Sequence, residues 1–293
     1  MKPSPFTYHR PRSIDEALAV LSSVGDAGKV LAGGQSLVPL MSMRLAAPTD
    51  LVDINHIAEL DSVEVTDSYV RVGALARHSR VEADPKAYGA IPLLRQGLVN
   101  VAHPTIRNRG TTVGSLVHAD PAAEMPAVLT LLDGVVELRT ANDTREVAAA
   151  DFFEGPMQSA IRPRELAVAA RFARPPPGSG SAFLELSRRQ GDYAICGVGA
   201  LVTTDGGDAI MSARVALISV GDGPVLVEVT EAAADDGFDE HGLHALVDER
   251  IDPDPDIHAS AEYRRHLAHV LALRALHEAH QQARLVNRRH RVA

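Results

Sequence analysis

Hydrophobic and polar positions change period several times along this chain, and each change marks an element. Ser13-Ile14-Asp15-Glu16 is a capping box, in which the serine oxygen can accept from the backbone three residues on while Glu16 reaches back. Behind it Ala17, Leu18, Val20 and Leu21 form an apolar face at helical spacing. Residues 29–32 read as a short strand entering a glycine turn. A second helix starts near Ser36, with Pro39 tolerable because it falls in the first turn, and residues 51–54 read as another strand. The first 55 residues or so therefore predict a small α/β unit. Residues 63–66 and 69–72 alternate around Asp67-Ser68 as a hairpin. Helices are expected over 91–102 and 122–132, on either side of a second glycine turn, and strands over 135–140 and 166–172.

Arg174-Pro175-Pro176-Pro177-Gly178-Ser179-Gly180 is the clearest linker, since a run of prolines continues neither strand nor helix. Beyond it, residues 182–186, 194–203, 209–220 and 225–229 read as strands. Helices follow, the longest over about 260–285. Strands first and helices last predict an α+β C-terminal domain. No internal repeat is visible. The basic run Asn287-Arg288-Arg289-His290-Arg291 reads as a solvated, frayed end, with contact to a partner subunit as the alternative.

Composition narrows the classes. With 293 residues, 45% of them hydrophobic, the chain has ample material for a core in one large domain or two. A net charge of -9 argues against general nucleic-acid binding, which needs a basic face. The single cysteine, Cys196, rules out an internal disulfide and a cysteine-ligated iron–sulfur cluster of the chain's own, which takes about four thiolates. Its neighbours Ile195, Val198 and Ala194 make it a small buried hydrophobe rather than a reactive thiol. No secretory signal and no stretch approaching the ~20 apolar residues of a membrane span is visible, so a cytoplasmic protein is expected.

The candidate chemistry lies in two glycine turns about eighty residues apart. The first is Val30-Leu31-Ala32-Gly33-Gly34-Gln35-Ser36-Leu37. The second is Arg107-Asn108-Arg109-Gly110-Thr111-Thr112-Val113-Gly114-Ser115-Leu116, continuing into His118-Ala119-Asp120-Pro121. Glycine lets a backbone approach a ligand closely, and free N–H groups beside hydroxyls suit phosphate oxygens. In the first turn Ala32, Gly33, Gly34 and Gln35 offer main-chain donors and Ser36 a hydroxyl at a helix N-terminus. A tight strand-to-helix turn that binds nothing is the alternative. The GxGxxG of a dinucleotide-binding Rossmann fold is absent. In the second turn Thr111, Gly114 and Ser115 could hold the same bridge from the other side. Asp120 has a plainer reading, as the N-cap of a helix beginning at Pro121. Arg107 and Arg109 are read as surface ion-pair formers rather than phosphate ligands. His103, His118, Asp120 and Glu124 match no metal-ligand spacing and are not read as a metal site.

These residues also resemble a family. AGGQSL followed by RNRGTTVGSLVHADPAAE is similar to the FAD-binding medium subunit of the molybdenum hydroxylases, a group that includes carbon monoxide dehydrogenase and xanthine dehydrogenase. Pro5-Phe6-Thr7-Tyr8, Leu51-Val52-Asp53-Ile54 and Arg188-Arg189-Gln190-Gly191-Asp192-Tyr193-Ala194 carry the resemblance further, as does Tyr263-Arg264-Arg265. Gly191-Asp192-Tyr193-Ala194 is closer to the carbon monoxide and aromatic-heterocycle branch than to the xanthine branch. One departure is Val113, which stands where the family commonly has the first glycine of a pair. The resemblance implies a two-part FAD-binding domain of the PCMH type over residues 1–175 (subdomains about 1–55 and 56–175). A C-terminal α+β domain with an antiparallel sheet and helices would follow over 176–293. It implies that Ala32, Gly33, Gly34, Gln35, Ser36, Leu37, Thr111, Gly114 and Ser115 hold FAD and that Asp120 accepts from a ribityl or ribose hydroxyl. Tyr193 would lie near the isoalloxazine, with Ile161 and Leu166 as apolar contacts, although apolar residues there are core residues by default. It further implies a large molybdenum–pterin subunit and a small iron–sulfur subunit as partners, in a dimer of three-subunit units. Two rival readings are a stand-alone flavoprotein oxidase or reductase, and a scaffold that has lost its flavin.

Overall fold

The structure, a computed structural model, describes residues 2–206, 209–234 and 237–292, with side chains as far as residue 288. Three short strands open the chain: β1 (Thr7–His9), β2 (Gly28–Leu31) and β3 (Asp50–Asp53), with helices α1 (Ile14–Val24) and α2 (Leu37–Ser42) between them. They form a parallel sheet in the order β1-β3-β2, the small α/β unit that the sequence predicts. Ser13 caps α1 by accepting from the Glu16 N–H at 3.1 Å. Glu16 reaches one residue further back than a capping box requires and accepts from the Arg12 N–H at 2.7 Å. The α1 face Ile14, Ala17, Leu18 and Leu21 is buried.

The hairpin β4 (Val63–Val65) and β5 (Tyr69–Gly73) follows. After it come α3 (His78–Ala83), α4 (Pro85–Ala90), α5 (Pro92–Leu98), α6 (Pro104–Arg107), α7 (Thr112–His118) and α8 (Glu124–Leu131). Then come β6 (Val135–Arg139), β7 (Thr144–Ala148), α9 (Ala149–Phe152), β8 (Phe153–Gly155), β9 (Gln158–Ser159) and β10 (Leu166–Ala173). An antiparallel sheet β4-β5-β10-β6-β7 collects strands from both ends of this stretch. Two expected helices are shorter than their apolar runs. The one expected over 91–102 begins at Pro92, whose fixed φ suits the first helical position, and stops at Leu98. The one expected over 122–132 begins at Glu124.

The remaining strands β11 (Ser179–Ser187), β12 (Ala194–Thr204), β13 (Ile210–Ile218) and β14 (Val225–Glu228) form an antiparallel meander. The small pair β15 (Ala233–Ala234) and β16 (Gly237–Phe238) and the helices α10 (Glu240–Asp248) and α11 (Ala261–Val292) complete the chain. Side chains on a strand point alternately to opposite faces. Cys196, Val198, Ala200, Val202, Val215 and Leu217 join the core under α11, whereas Leu201, Ala216 and Ile218 join the core of the preceding residues. The meander is thus covered on both faces, by α8 on one and α11 on the other. The expectation of a wholly solvated basic tail is corrected at Asn287, which is buried and donates to Thr204 Oγ1 at 2.9 Å and to the Asp205 carbonyl at 2.8 Å. The side chains of Arg289, His290 and Arg291 lie outside the described residues. Among the described residues no helix is long and apolar enough to cross a membrane.

Candidate functional site

The first glycine turn connects β2 to α2, and residues 32–37 are all half-buried. Gly34 has a φ of 72°, a left-handed conformation in which a side chain is strained. Gln35 folds its amide back to the Gly33 carbonyl at 3.2 Å. Ser36 is the N-cap of α2, yet its hydroxyl makes no capping bond. Among the described residues the N–H groups of Gly33, Gly34, Gln35 and Ser36 find no acceptor. This leaves a row of donors with a hydroxyl at its end.

The second segment is more helical than its glycines predict. Thr111 caps α7 by accepting from the Gly114 N–H at 3.1 Å, so Val113, Gly114 and Ser115 sit in the first turns of a helix. Val113 is 2% exposed and packs into the core, so its side chain is turned inward from the half-buried Gly114 and Ser115. Ala119, with a φ of 52°, closes the helix in a left-handed conformation. Asp120 follows, 9% exposed. It does not cap a helix at Pro121: α8 starts three residues later, and Asp120 Oδ1 accepts from the Ala122 N–H at 2.9 Å instead. Ser219 N–H draws this segment toward the meander by donating to the Pro121 carbonyl at 2.9 Å.

The two turns meet. A side-chain carbon on Gly33 would collide with the Arg109 carbonyl and the Gly110 backbone, so glycine is what allows the contact. Two residues that no sequence signal singles out, Asn55 and Arg77, bond to the backbone around this junction. No local pattern marks either one. Arg107 pairs with Glu82 at 2.8 Å, the ion-pair role expected of it, and also donates to the Val101 and Ala102 carbonyls at 3.0 Å. Arg109 is exposed.

The loop between β11 and β12 carries Tyr193, 72% exposed. Gly191, with a φ of 85°, seats that loop on the His103 ring, 2.6 Å from where its Cβ would stand to Nδ1. Partial burial and then the charges of Asp120 and Glu124 raise the Tyr193 phenol above its usual range. Tyr193 and Asp120 share a cleft of about 620 Å³, whose further wall includes Asp222, Asp252, Asp254 and Arg264. Glu124 beneath it is 8% exposed, and burial, reinforced by Glu185, pushes its pKa up to about 8. Burial alone pushes Glu185 to about 7. Met157 N–H donates to the Ala119 carbonyl at 2.9 Å and the Ser159 hydroxyl to the Val117 carbonyl at 3.2 Å, which lays the segment leading to half-buried Ile161 along α7. Leu166 is apart from this group: it is 1% exposed in the core at the start of β10. Among the described residues no three His, Cys, Asp or Glu side chains are arranged to hold a metal ion. Cys196 is fully buried, and burial pushes its thiol up to about 12.

Known proteins share this fold. The FAD binding domain in molybdopterin dehydrogenase matches residues 4–173, and the CO dehydrogenase flavoprotein C-terminal domain matches residues 181–279. The chain is 38% identical to the 6-hydroxypseudooxynicotine dehydrogenase complex subunit alpha of Paenarthrobacter nicotinovorans, covering 97% of each chain. It is 35% identical to the carbon monoxide dehydrogenase medium chain of Afipia carboxidovorans, over 97% of this chain and 100% of that one. A solved carbon monoxide dehydrogenase from Hydrogenophaga pseudoflava, in a form lacking the Mo-pyranopterin moiety of its molybdenum cofactor, superposes with a TM-score of 0.90. That match has 32% identity and covers 96% of this chain and 99% of the other.

Proposed function

The chain belongs to the FAD-binding family of the molybdopterin dehydrogenases, and from that premise we propose how its residues hold the cofactor and which partners it serves. It is the FAD-binding, electron-transfer component of a molybdenum hydroxylase complex. The observation that carries the site assignment is the row of unbonded N–H groups from Gly33 to Ser36, fixed against the start of the second turn. Its donors fit a pyrophosphate: main-chain N–H groups of Ala32, Gly33, Gly34, Gln35 and Leu37 and the free Ser36 hydroxyl on one side, the Thr111 and Ser115 hydroxyls on the other, with Gly114, whose N–H is held by Thr111, keeping the backbone open between them. Asp120 keeps one carboxylate oxygen without a partner among the described residues, the atom that would accept from a sugar hydroxyl. Tyr193 offers an aromatic face beside that carboxylate, and half-buried Ile161, packed against the core, is the proposed apolar contact. Leu166 supports this wall from within the core rather than lining it. FAD, when held there, would supply the redox chemistry itself. The chain's part is to bind it and orient it.

The partner reading is a large molybdenum–pterin subunit and a small iron–sulfur subunit, assembled as a dimer of heterotrimers. Support comes from two sides. Relatives are chains of multi-subunit complexes, and the one cysteine here is too deeply buried and too weakly acidic to serve as a cluster ligand.

The test is the visible absorption spectrum of the purified chain before and after FAD is added. Flavin bands in the parent, abolished by Ser36→Ala together with Gly114→Val, are the expected result. Unchanged flavin content in that double variant overturns the cradle. Capture of one molybdenum-containing and one iron–sulfur chain by the tagged protein is expected in the same preparation, and purification as a free, fully active oxidase would overturn the partner reading.

A further inference from the structure

We propose that Arg77 and Asn55 are a positioning pair that latches the two glycine turns together and so sets the spacing the FAD pyrophosphate meets. The proposal deepens the cofactor reading above and rests on it.

Neither residue belongs to either turn. Arg77 lies where the chain leaves β5 and enters α3, and Asn55 two residues beyond β3. Residues 76–78 run antiparallel beside 110–112: Arg77 bridges Thr111, the His78 N–H donates to the Gly110 carbonyl at 3.0 Å, and the Thr112 N–H to the Ala76 carbonyl at 3.4 Å. From this short ladder the Arg77 guanidinium spans outward. Its Nη1 donates to the Arg109 carbonyl at 2.6 Å and its Nη2 to Asn55 Oδ1 at 2.6 Å. Asn55 Nδ2 in turn donates to the Ala32 carbonyl at 2.8 Å and to Asp53 Oδ1 at 2.6 Å. An unbroken chain of hydrogen bonds therefore runs from the carbonyl that opens the first turn to the carbonyl that opens the second part of the cradle. Under it, Gly33 lies against Arg109 and Gly110, and the Gly110 Cα faces the ring of buried His78, 2.9 Å from where its Cβ would stand to Cδ2.

The choice of arginine has a physical reason. The acceptors diverge, and a planar fork with donors on separate nitrogens reaches both at once, which a point-charge ammonium does not. Its hydrogen-bond acceptors are an amide and a carbonyl. Among the described residues no carboxylate lies within ion-pair distance of it; Asp53 and Asp61 act only at longer range, while Arg109 repels it. A half-buried cation with neutral partners is costly unless something nearby offsets its charge. The anionic bridge of FAD, lying between the turns the latch joins, is such a group.

The experiment uses the flavin-loaded protein as purified, with whatever chains accompany it, and follows FAD release by the rise in flavin fluorescence. Arg77→Met is expected to weaken FAD retention about ten- to a hundred-fold, because only part of the free energy of two internal hydrogen bonds from a charged donor is felt at the cofactor. Arg77→Lys is expected to match it within a factor of three, because charge without the fork does not restore the latch. Asn55→Ala is expected to weaken retention too, and the Arg77→Met, Asn55→Ala double variant no more than Arg77→Met alone, since both cut one chain of bonds. A fold-wide structural effect would instead make the two losses multiply. Parent-like retention in Arg77→Met, full rescue by lysine, or multiplying losses would each overturn the latch. If Arg77→Met does not fold, the lysine variant and the Asn55 variant decide between these outcomes. Ser36→Ala with Gly114→Val separates the two layers: unchanged FAD there overturns the cradle and the latch together, whereas its loss beside parent-like Arg77 variants overturns the latch alone.

Discussion

At the scale of single residues the most consequential group outside the cradle is Glu124. It sits at the first position of α8, almost fully buried, and the loss of water around it raises its pKa before the neighbouring Glu185 charge adds to the effect. In the unfolded chain the carboxyl titrates near 4.5, in the folded protein at about 8. The folded state therefore prefers the protonated form. Its contribution to stability is complete below the unfolded value, falls as the pH rises, and is gone once the pH passes about 8. Glu124→Gln mimics the protonated form at every pH. Urea denaturation is expected to give the variant and the parent similar stability near pH 5 and to favour the variant at pH 9. The gain is on the order of 2–4 kcal/mol, since each tenfold difference in proton affinity between the folded and unfolded chain is worth about 1.4 kcal/mol. A difference of the same size at both pH values would mean that glutamine merely packs differently. Because the Glu124 and Asp120 charges also act on Tyr193, the same variant reports on the wall of the cofactor cleft as well as on folding.

Among the elements, the tightest fit is α11 on the meander. A methyl on Gly180 would run into the Ala279 carbonyl and the Ala283 nitrogen of that helix, backbone that cannot swing aside. Gly180→Ala must lift α11 from β11, and overpacking of this kind costs about 1–3 kcal/mol. At roughly 2–4 °C for each kcal/mol, thermal unfolding is expected some 3–10 °C lower. Gly89→Ala is the control: it lies in α4 with nothing within 4 Å of a new Cβ, so the melting temperature should hold or rise. Elements with a strong period were legible in the sequence. The α1 stripe, the β4–β5 hairpin and the apolar strands β10 and β12 lie where their patterns put them. The strand β7 was not legible, because Thr144–Ala148 is an edge strand that buries only Val147 and so reads as a polar loop. Helix α7 was hidden for a different reason: Thr111, Thr112, Val113 and Gly114 have weak helix propensity, and the helix stands on its threonine cap and the burial of Val113 and Leu116. Both glycine turns were visible as candidate binding segments. The bonds joining them were not, since Asn55 and Arg77 are brought to the junction by pairings 22 to 32 residues apart.

For the molecule as a whole, the question is whether its two halves can work apart, and the packing says they cannot. The core of the first 175 residues takes in Phe183, Ala194, Leu201, Ala216 and Ile218 from beyond the proline linker. Polar contacts cross the same boundary: Gln96 and Ser181 bond reciprocally at 2.9 Å, and Arg214 grips both oxygens of Asp133 at 3.0 and 2.5 Å. The proposed cofactor site straddles it as well, with the Tyr193 loop seated on His103 and Ser219 bonded to Pro121. A fragment ending at residue 175 would turn the α8 face that meets β12 and β13 out into water. It is expected to bind a hydrophobic dye and to melt without a sharp transition, and to hold FAD far less tightly than the full chain. In the full chain, loss of far-UV circular dichroism and the rise in flavin fluorescence should coincide on heating. Separate transitions, with flavin retained while the C-terminal strands and α11 melt, would mean that the shared core contributes little and that the first 175 residues hold the cofactor on their own. Coincident transitions would mean that a change anywhere in the meander or α11 lowers flavin occupancy, even though no turn of the cradle lies there.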